Sequence, residues 1–403
     1  MTTRRDFLKS SVLASSLLFV PKFLHALDRQ GVSRMGLSNG RRLVVIQLGG
    51  GNDGLNTVIP YQNDLYYKAR PILGLRAQAG LLPLEKDLAL NPAMKRIKAL
   101  YDEGYVAVLN SVGYPNPDRS HFRSMDIWHS GSASDSYVNT GWLGRYLDSS
   151  CPECQLPYNG LELDDTLSLA MKGARRKGLA LKTPGKFHQL TQNQFLSQVN
   201  RQAALSTHTA EVDYLYKTLA ETASSADYLY ETSKVYKSAV TYPNTEFGRN
   251  LKTTAELINS GVESRVFYVS LSGFDTHVRQ HEQQGRLLGD LSDGLGAFVE
   301  DLRKQGQFDN TLIMTFSEFG RRVQQNASNG TDHGTANNVL LLGGGLKRKG
   351  VLNEAPDLAN LDNGDLRYQL DFRSLYATVL RDWLQADDKA ILSSEFARLT
   401  GLV

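Results

Sequence analysis

The sequence predicts an α/β protein with a mostly parallel central sheet and helices on both faces of that sheet. Short, nearly continuous apolar runs, such as 43–48 (LVVIQL) and 311–316 (TLIMTF), are typical of buried parallel strands. They alternate with amphipathic stretches, the clearest of which is a stripe of Leu, Phe and Val at helical spacing over 287–302. Strands that alternate with helices along a chain favour this layered architecture.

Length, composition and charge fit one large globular domain and exclude several other classes of protein. The chain has 403 residues, 41% hydrophobic and 22% charged, which is enough to bury a large core. The net charge of +3 provides no clustered basic face, so we expect no nucleic-acid partner. No window after the N-terminal segment approaches the ~20 apolar residues that span a membrane, so we expect no transmembrane segment in the mature chain.

The N-terminal segment has the pattern of an export signal. The stretch 3–9 (TRRDFLK) precedes an apolar run over 12–20. This resembles a twin-arginine (Tat) signal; the alternative is an amphipathic first helix. It predicts a signal peptide over 1–26, the Tat export machinery as a partner, and a periplasmic or secreted location. Residues 27–403 would then form the mature α/β domain.

Two cysteines, Cys151 and Cys154, form a Cys-Pro-Glu-Cys motif. An exported protein tolerates a small structural disulfide there. A redox role would need a thioredoxin-like unit around the pair, and a zinc knuckle would need a second pair; the sequence contains neither. A loop disulfide is therefore favoured over an oxidoreductase.

The middle of the chain, about 155–262, departs from the α/β alternation. It reads as long polar helices with spaced Tyr and Ala, for example over 210–239. We predict a helical insertion, which either packs on one face of the sheet or forms a lid.

Carboxylate, imidazole and hydroxyl side chains lie next to the predicted strands in the sequence. In an open α/β sheet, ligands gather at the carboxyl ends of the strands. Carboxylates and imidazoles that converge there would suit a divalent cation, zinc or manganese above all, and two such ions ~4 Å apart would clamp the oxygens of an ester displacement. The residues adjacent to the apolar runs are, in chain order, Asp53, Ser120 with His121, Asp275 with His277, Glu318, and Asp332 with His333.

Each of these residues also has a simpler structural interpretation. Asp53 would cap a turn in its glycine-rich segment, Asp275 would cap a helix, and Asp332 would close a loop turn. Ser120 would cap the helix that is predicted over 120–129. The metal interpretation depends on their joint occurrence at successive strand ends.

Five motifs resemble those of the uncharacterised bacterial family called domain of unknown function 1501. The resemblance extends over nearly the whole mature chain. That family is similar in turn to the alkaline phosphatase and sulfatase superfamily, which implies an alkaline-phosphatase-like fold and a two-metal phosphoester or sulfoester hydrolase ancestry. The motifs are 49–60 (GGGNDGLNTVIP), 119–122 (RSHF), 273–277 (GFDTH), 317–321 (SEFGR) and 331–334 (TDHG).

The resemblance implies roles for individual residues. Ser120 falls where the superfamily's nucleophile begins its helix, and an anionic ester would be the substrate. His121 and Arg321 are further catalytic candidates, which would orient ligands or clamp the anion. The residues implied for the metal site are Asp53, Asp275, His277, Glu318 and His333, with Asp332 as an additional carboxylate that would orient a ligand.

The chain departs from the superfamily pattern in three respects. Phe319 replaces a histidine, the spacing from Asp275 to His277 is short, and nothing at Ser120 resembles the Cys-x-Pro-x-Arg sequence of sulfatases. The sequence predicts an exported, metal-dependent hydrolase of phosphate or sulfate esters. The alternative is a catalytically inactive metal-binding or assembly protein of the periplasm, whose helical middle segment contacts a partner.

Overall fold

The apolar runs of the sequence form the main strands of one central sheet. The computed structural model describes residues 40–150, 157–192 and 210–403. The apolar runs at 43–48 and 311–316 form two of these strands, β1 and β9 below. The predicted signal peptide at 1–26 and the pair Cys151 and Cys154 lie outside the described residues.

The strands and helices alternate along much of the chain. The strands are β1 Arg42–Gly49, β2 Val58–Ile59, β3 Leu82–Pro83, β4 Ala89–Leu90, β5 Val106–Gly113, β6 Gly160–Glu162, β7 Leu179–Ala180, β8 Val266–Ser272, β9 Thr311–Phe316, β10 Asn337–Leu342, β11 Gly350–Val351, β12 Leu361–Asp362, β13 Asp365–Leu366 and β14 Leu370–Asp371. The α-helices are α1 Asp64–Ala69, α2 Lys95–Asp102, α3 His121–Ser130, α4 Trp142–Ser150, α5 Pro184–Thr191, α6 Ala210–Thr232, α7 Glu246–Asn259, α8 Gln280–Lys304, α9 Phe372–Thr378 and α10 Asp388–Leu392. Among the helices of these described ranges, none combines the length and apolarity that crossing a membrane requires.

The central sheet is mixed and mostly parallel, as predicted. Its strand order is β11-β5-β10-β9-β1-β8-β6-β7, and β14 also pairs with β5. β1 runs parallel to β8 and β9, whereas β10 runs antiparallel to β9 and β5. Because β10 is reversed, the residues that precede it lie at the edge where β1, β8 and β9 end.

Helices cover both faces of this sheet. Successive side chains of β1 point to opposite sides, so that Val44 and Ile46 join one hydrophobic core and Leu43 and Val45 join the other. The first core also contains the apolar stripes of α7 and α8, and the second contains aromatic residues of α3, α4 and α9. The predicted two-sided layering is confirmed.

A stack of aromatic rings fixes α3 against the sheet. The Trp128 ring centroid lies 5.1 Å from that of Phe316 in β9 and 4.2 Å from that of Phe372 in α9, and both pairs are stacked. Trp128 is only 2% exposed. Since α3 begins at His121, this packing also fixes the position of the residues at its N-terminus.

The middle segment contains strands as well as helices. The short strands β6 and β7 pair in parallel and extend the sheet beyond β8. α6 ends at Thr232, earlier than the predicted 239, and α7 packs its apolar face into the core beside α8. The interpretation of this segment as a lid stays a prediction.

Candidate metal centre

A glycine turn brings the end of β1 against two neighbouring loops. Gly50 and Gly51 follow the strand with φ values of +113° and +74°. A Cβ atom on Gly50 would overlap the backbone of Asp275, and one on Gly51 would overlap the ring of Phe319. Only glycine permits both this backbone conformation and this close approach.

Three imidazoles surround the carboxylate of Asp275 at this edge of the sheet. The Asp275 Oδ1 atom lies 3.1 Å from Nε2 of His277, 3.3 Å from Nε2 of His333 and 3.5 Å from Nε2 of His121. The Nε2 atoms of His277 and His333 are 3.0 Å apart. The ligand atoms of His121, Asp275 and His333 all lie within 4.8 Å of one another.

The opposite nitrogen of each ring contacts a hydrogen-bond acceptor. A carbonyl or an ionised carboxylate can only accept, so each Nδ1 donates and each neutral ring keeps its lone pair on Nε2. Second hydrogen bonds of this kind orient histidine ligands in metal sites. The Nδ1 contacts are from His121 to Glu318 Oε1 at 2.9 Å, from His333 to the Arg119 carbonyl at 2.8 Å and from His277 to Asp332 Oδ1 at 3.3 Å.

The Nε2 atom of His121 is buried and has no hydrogen-bond partner among the described residues. Leaving a buried polar atom unsatisfied costs roughly 1–3 kcal/mol. A cation between His121, Asp275 and His333 would satisfy it, and two imidazoles with one carboxylate are a donor set that suits zinc. The Asp275 side chain is 49% exposed, so the site opens to solvent.

The charges at the centre also suit a cation. Partial burial disfavours ionisation of Asp275, but the hydrogen bond and charge of Arg321 outweigh it, so its pKa lies below the ordinary value. Burial lowers the pKa of His333, which keeps the ring neutral. The hydrogen bond to Glu318 raises the pKa of His121, which favours its protonated form, so a cation at Nε2 would have to displace that proton.

Arg321, a predicted catalytic residue, is fully buried and joins several loops. Its guanidinium donates to the backbone carbonyls of Gly50, Gly51, Phe274 and Thr331 and to Asp275 Oδ1, the last at 2.7 Å. The side chain has no exposed surface. In this structure Arg321 therefore positions Asp275, and a role in clamping a substrate anion stays a prediction.

Glu318 and Phe319 hold the imidazoles from the loop after β9. Glu318 Oε1 accepts from the Gly50 backbone N–H at 2.8 Å as well as from His121. The Phe319 ring centroid lies 4.8 Å from that of His121 and 4.7 Å from that of His333. Glu318 contacts Nδ1 of His121, and Asp332 contacts Nδ1 of His277. The predicted part of each carboxylate in binding a cation stays a prediction.

Asp53 forms a buried ion pair with Arg70, which the sequence pattern does not indicate. Their shortest contact is 2.5 Å, and both side chains are 0% exposed. Asp53 also accepts from the Leu55 N–H and from Gln280. Arg70 therefore compensates the charge of Asp53, and the part of Asp53 in binding a cation stays a prediction.

Ser120 lies in the chain between two residues that have contacts at the centre. It is exposed, and it separates Arg119, whose carbonyl holds His333, from His121. Its side chain makes no capping hydrogen bond to α3, so the simple cap interpretation does not apply. Its backbone N–H donates to Asp118 Oδ1 at 2.6 Å.

The chain matches a known protein family over most of its length. A model of the family described as "Protein of unknown function (DUF1501)" matches residues 105–403. The chain belongs to the DUF1501 family. This confirms the family predicted from the motifs, and no curated protein matches this DUF1501 member.

Solved structures that are similar to this DUF1501 member share little sequence with it. The PsFucS1 sulfatase from Pseudoalteromonas sp. is 14% identical, covers 92% of this chain and 72% of its own, and has a TM-score of 0.43. The zinc complex of the C-terminal periplasmic domain of EcEptC from Escherichia coli is 11% identical, with 76% and 74% covered and a TM-score of 0.35. A protein in the alkaline phosphatase superfamily from Vibrio parahaemolyticus is 11% identical, with 78% and 62% covered and a TM-score of 0.35. These likenesses concern the fold and assign no reaction to the chain.

The buried pair of Asp53 and Arg70 yields a stability prediction. Arg70→Ala leaves the Asp53 carboxylate buried without its cation, so the free energy of unfolding should fall by about 3–5 kcal/mol. Urea denaturation followed by circular dichroism measures this. Lys389→Ala, which breaks an exposed pair with Glu395, is the control and should cost no more than about 1 kcal/mol. Equal effects of the two substitutions would show that the buried pair has no special weight.

Proposed function

We propose that this DUF1501 member binds a divalent cation through His121, Asp275 and His333, with His277 as an adjoining ligand, and hydrolyses phosphate or sulfate esters there. The main support for the proposal is the arrangement of the three imidazoles around Asp275. Imidazole Nε2 atoms converge on a single carboxylate oxygen, and each opposite ring nitrogen is held by an acceptor. Such an arrangement leaves lone pairs facing one point, which is costly unless a cation lies there.

Zinc is the cation that we favour, and manganese is the alternative. Imidazole nitrogens with a carboxylate oxygen are common zinc ligands, whereas magnesium and calcium prefer oxygen alone. A bound divalent cation would supply Lewis acidity, which polarises an ester and activates water. The exposed side of Asp275 is where a substrate would approach.

Ser120 is the residue that we propose as nucleophile. Its Oγ would attack phosphorus, the bond from phosphorus to the ester oxygen would break, and the alcohol would leave. Water would then hydrolyse the phosphoserine and release phosphate. The free N–H groups at the start of α3 would favour the anion in the same place. If Ser120 is inert, water attacks directly, and the hydroxyl serves as a hydrogen-bond donor to the anion.

The rival proposal is a metal-binding or assembly protein without catalytic activity. Its support is that His121, Asp275 and His333 form a single grouping of metal-binding side chains in the described residues, while Arg70 compensates Asp53. A centre with one cation lacks the second ion that a two-metal ester displacement uses. Metal binding without ester turnover would favour this rival.

Export is the remaining part of the proposal. The stretch 3–9 with its consecutive arginines is the support for passage through the Tat machinery to the periplasm. That route transports folded proteins, so the centre would acquire its cation before export.

The ligand set predicts which substitutions remove the metal. His121→Ala and His333→Ala should each weaken zinc binding by at least ~100-fold, and Glu318→Gln, which only orients His121, by roughly 10-fold. Isothermal titration and elemental analysis of the purified, folded proteins measure this. The control is His281→Ala, because His281 contacts the Ile72 carbonyl instead of the cluster. Wild-type zinc content in both ligand variants would rule out this centre.

An assay of ester hydrolysis distinguishes the proposed hydrolase from the proposed metal-binding protein without activity. The zinc-loaded protein should hydrolyse 4-nitrophenyl phosphate or 4-nitrophenyl sulfate, and Ser120→Ala should reduce kcat/KM by ~100-fold or more if Ser120 is the nucleophile. Ser149→Ala, remote in sequence and not adjacent to a ligand, should retain full activity. An active Ser120→Ala protein would point to direct attack by water, and zinc binding without any turnover would refute the enzyme.

The export proposal has its own test. Replacing Arg4 and Arg5 by Lys should retain the protein in the cytoplasm, because the Tat pathway reads the arginine pair. Cell fractionation with immunodetection measures this, and Lys9→Arg, which leaves the pair intact, should still be exported. Unchanged export of the double variant would contradict Tat transport.

A further inference from the structure

The carboxylate of Asp118 lies next to Ser120. Its Oδ1 atom accepts from the Ser120 backbone N–H at 2.6 Å. In its gauche χ1 rotamers the Ser120 hydroxyl lies close to this nitrogen, and hence close to the carboxylate that the N–H contacts. Ser120 is exposed and makes no side-chain cap to α3, so its hydroxyl can exchange rotamers rapidly. The Asp118 carboxylate is therefore within reach of the Ser120 hydroxyl proton.

Buried hydroxyl groups fix the backbone that carries Asp118. The Asp118 N–H donates to the Tyr114 hydroxyl at 3.2 Å, and the Asp118 carbonyl accepts from Ser124 Oγ at 2.6 Å. Tyr114 and Ser124 are both buried, and their hydroxyl oxygens lie 3.2 Å apart. Because Ser124 belongs to α3, the backbone of Asp118 keeps a set position relative to the helix that begins after Ser120.

The charge of Asp118 is not compensated by a basic side chain. Within the described ranges its carboxylate forms no ion pair, and the adjacent Arg119 pairs with Asp365 instead. The other carboxylates that the sequence singled out each contact an arginine or an imidazole. These pairs are Asp53 with Arg70, Asp275 with Arg321, Glu318 with His121 and Asp332 with His277. Asp118 is thus a carboxylate that is still available to accept a proton.

The imidazoles of the proposed metal-bound centre would not be available for this proton. Each Nδ1 atom is bonded to an acceptor, and each Nε2 atom faces Asp275, where the cation would lie. No ring nitrogen of His121, His277 or His333 would then remain to act as a base. A base for Ser120 would have to come from outside the imidazole cluster.

We infer that Asp118 is the general base that removes the proton from the Ser120 hydroxyl. The inference rests on the proposed function, in which Ser120 is the nucleophile. As the bond from Oγ to phosphorus forms, the Oγ proton passes to the Asp118 carboxylate. The electron pair of the breaking ester bond leaves on the alcohol oxygen, which takes a proton from solvent.

The second step restores the base. Water attacks phosphorus, the bond from phosphorus to Oγ breaks, and the protonated Asp118 returns its proton to Oγ. The proton that the attacking water loses replaces the one that the alcohol took from solvent. Phosphate leaves, and Asp118 is again a carboxylate beside a serine hydroxyl.

The substitution Asp118→Asn distinguishes a base from a structural residue. Asparagine keeps an oxygen that accepts from the Ser120 N–H, but it cannot take a proton, so zinc affinity and the free energy of unfolding should stay at wild-type values. The kcat/KM for 4-nitrophenyl phosphate should fall by ~100-fold or more. Asp126→Asn, an exposed position on α3, is the matched control and should retain full activity.

A double variant tests whether Asp118 acts through Ser120. In Ser120→Ala protein there is no hydroxyl proton to remove, so adding Asp118→Asn should change the residual kcat/KM by less than about 2-fold. A further loss as large as that in the wild-type background would show that Asp118 acts on something other than the hydroxyl, and would overturn the inference.

The failures of the two proposals are distinguishable. If Asp118→Asn keeps the wild-type kcat/KM while Ser120→Ala loses it, Asp118 is not the base and the proposed hydrolase stands. If Asp118→Asn loses zinc, measured by isothermal titration, or becomes less stable to urea, its role is structural and the inference is overturned. If Ser120→Ala is fully active, or if the zinc-loaded protein hydrolyses no ester, the base falls together with the proposed nucleophile.

Discussion

The buried guanidinium of Arg321 is the interaction on which the arrangement of the centre depends. A buried charge is costly unless it is paired and hydrogen-bonded. Arg321 meets both conditions, since it donates to backbone carbonyls from three loops and to the carboxylate of Asp275. It thereby connects the turn after β1, the loop after β8 and the segment before β10. Asp275 and His333 cannot shift independently while these bonds persist.

The strands and the layering could be predicted from the sequence, because burial leaves a local periodic signal. The apolar runs that became β1 and β9 are examples. The direction of β10 could not be predicted, because direction depends on pairing with strands distant in the chain. That reversal explains why His333, which precedes its strand, meets Asp275, which follows β8.

The sequence predicts which residues lie near the centre better than it predicts the contacts that each of them makes. Carboxylates and imidazoles at strand ends mark the region, and Asp275, His277 and His333 do lie together. The contacts of each group depend on side-chain geometry that the sequence does not record: Glu318, which is predicted as a ligand, contacts Nδ1 of His121. Arg70 was missed for a related reason, since a loop fold brings it to Asp53 and no local pattern records that contact.

The charge balance of the centre bears on how many cations the proposed site would hold. Arg70 neutralises Asp53, and Arg321 contacts Asp275, so two of the carboxylates already have a permanent positive partner. Glu318 and Asp332 remain, each hydrogen-bonded to an imidazole whose other nitrogen faces Asp275. One divalent cation would balance these two charges, whereas a second would leave an excess of positive charge beside two arginines. If the centre binds metal as proposed, the side chains favour a single cation, and the excess charge of a second ion could be balanced only by an anionic substrate.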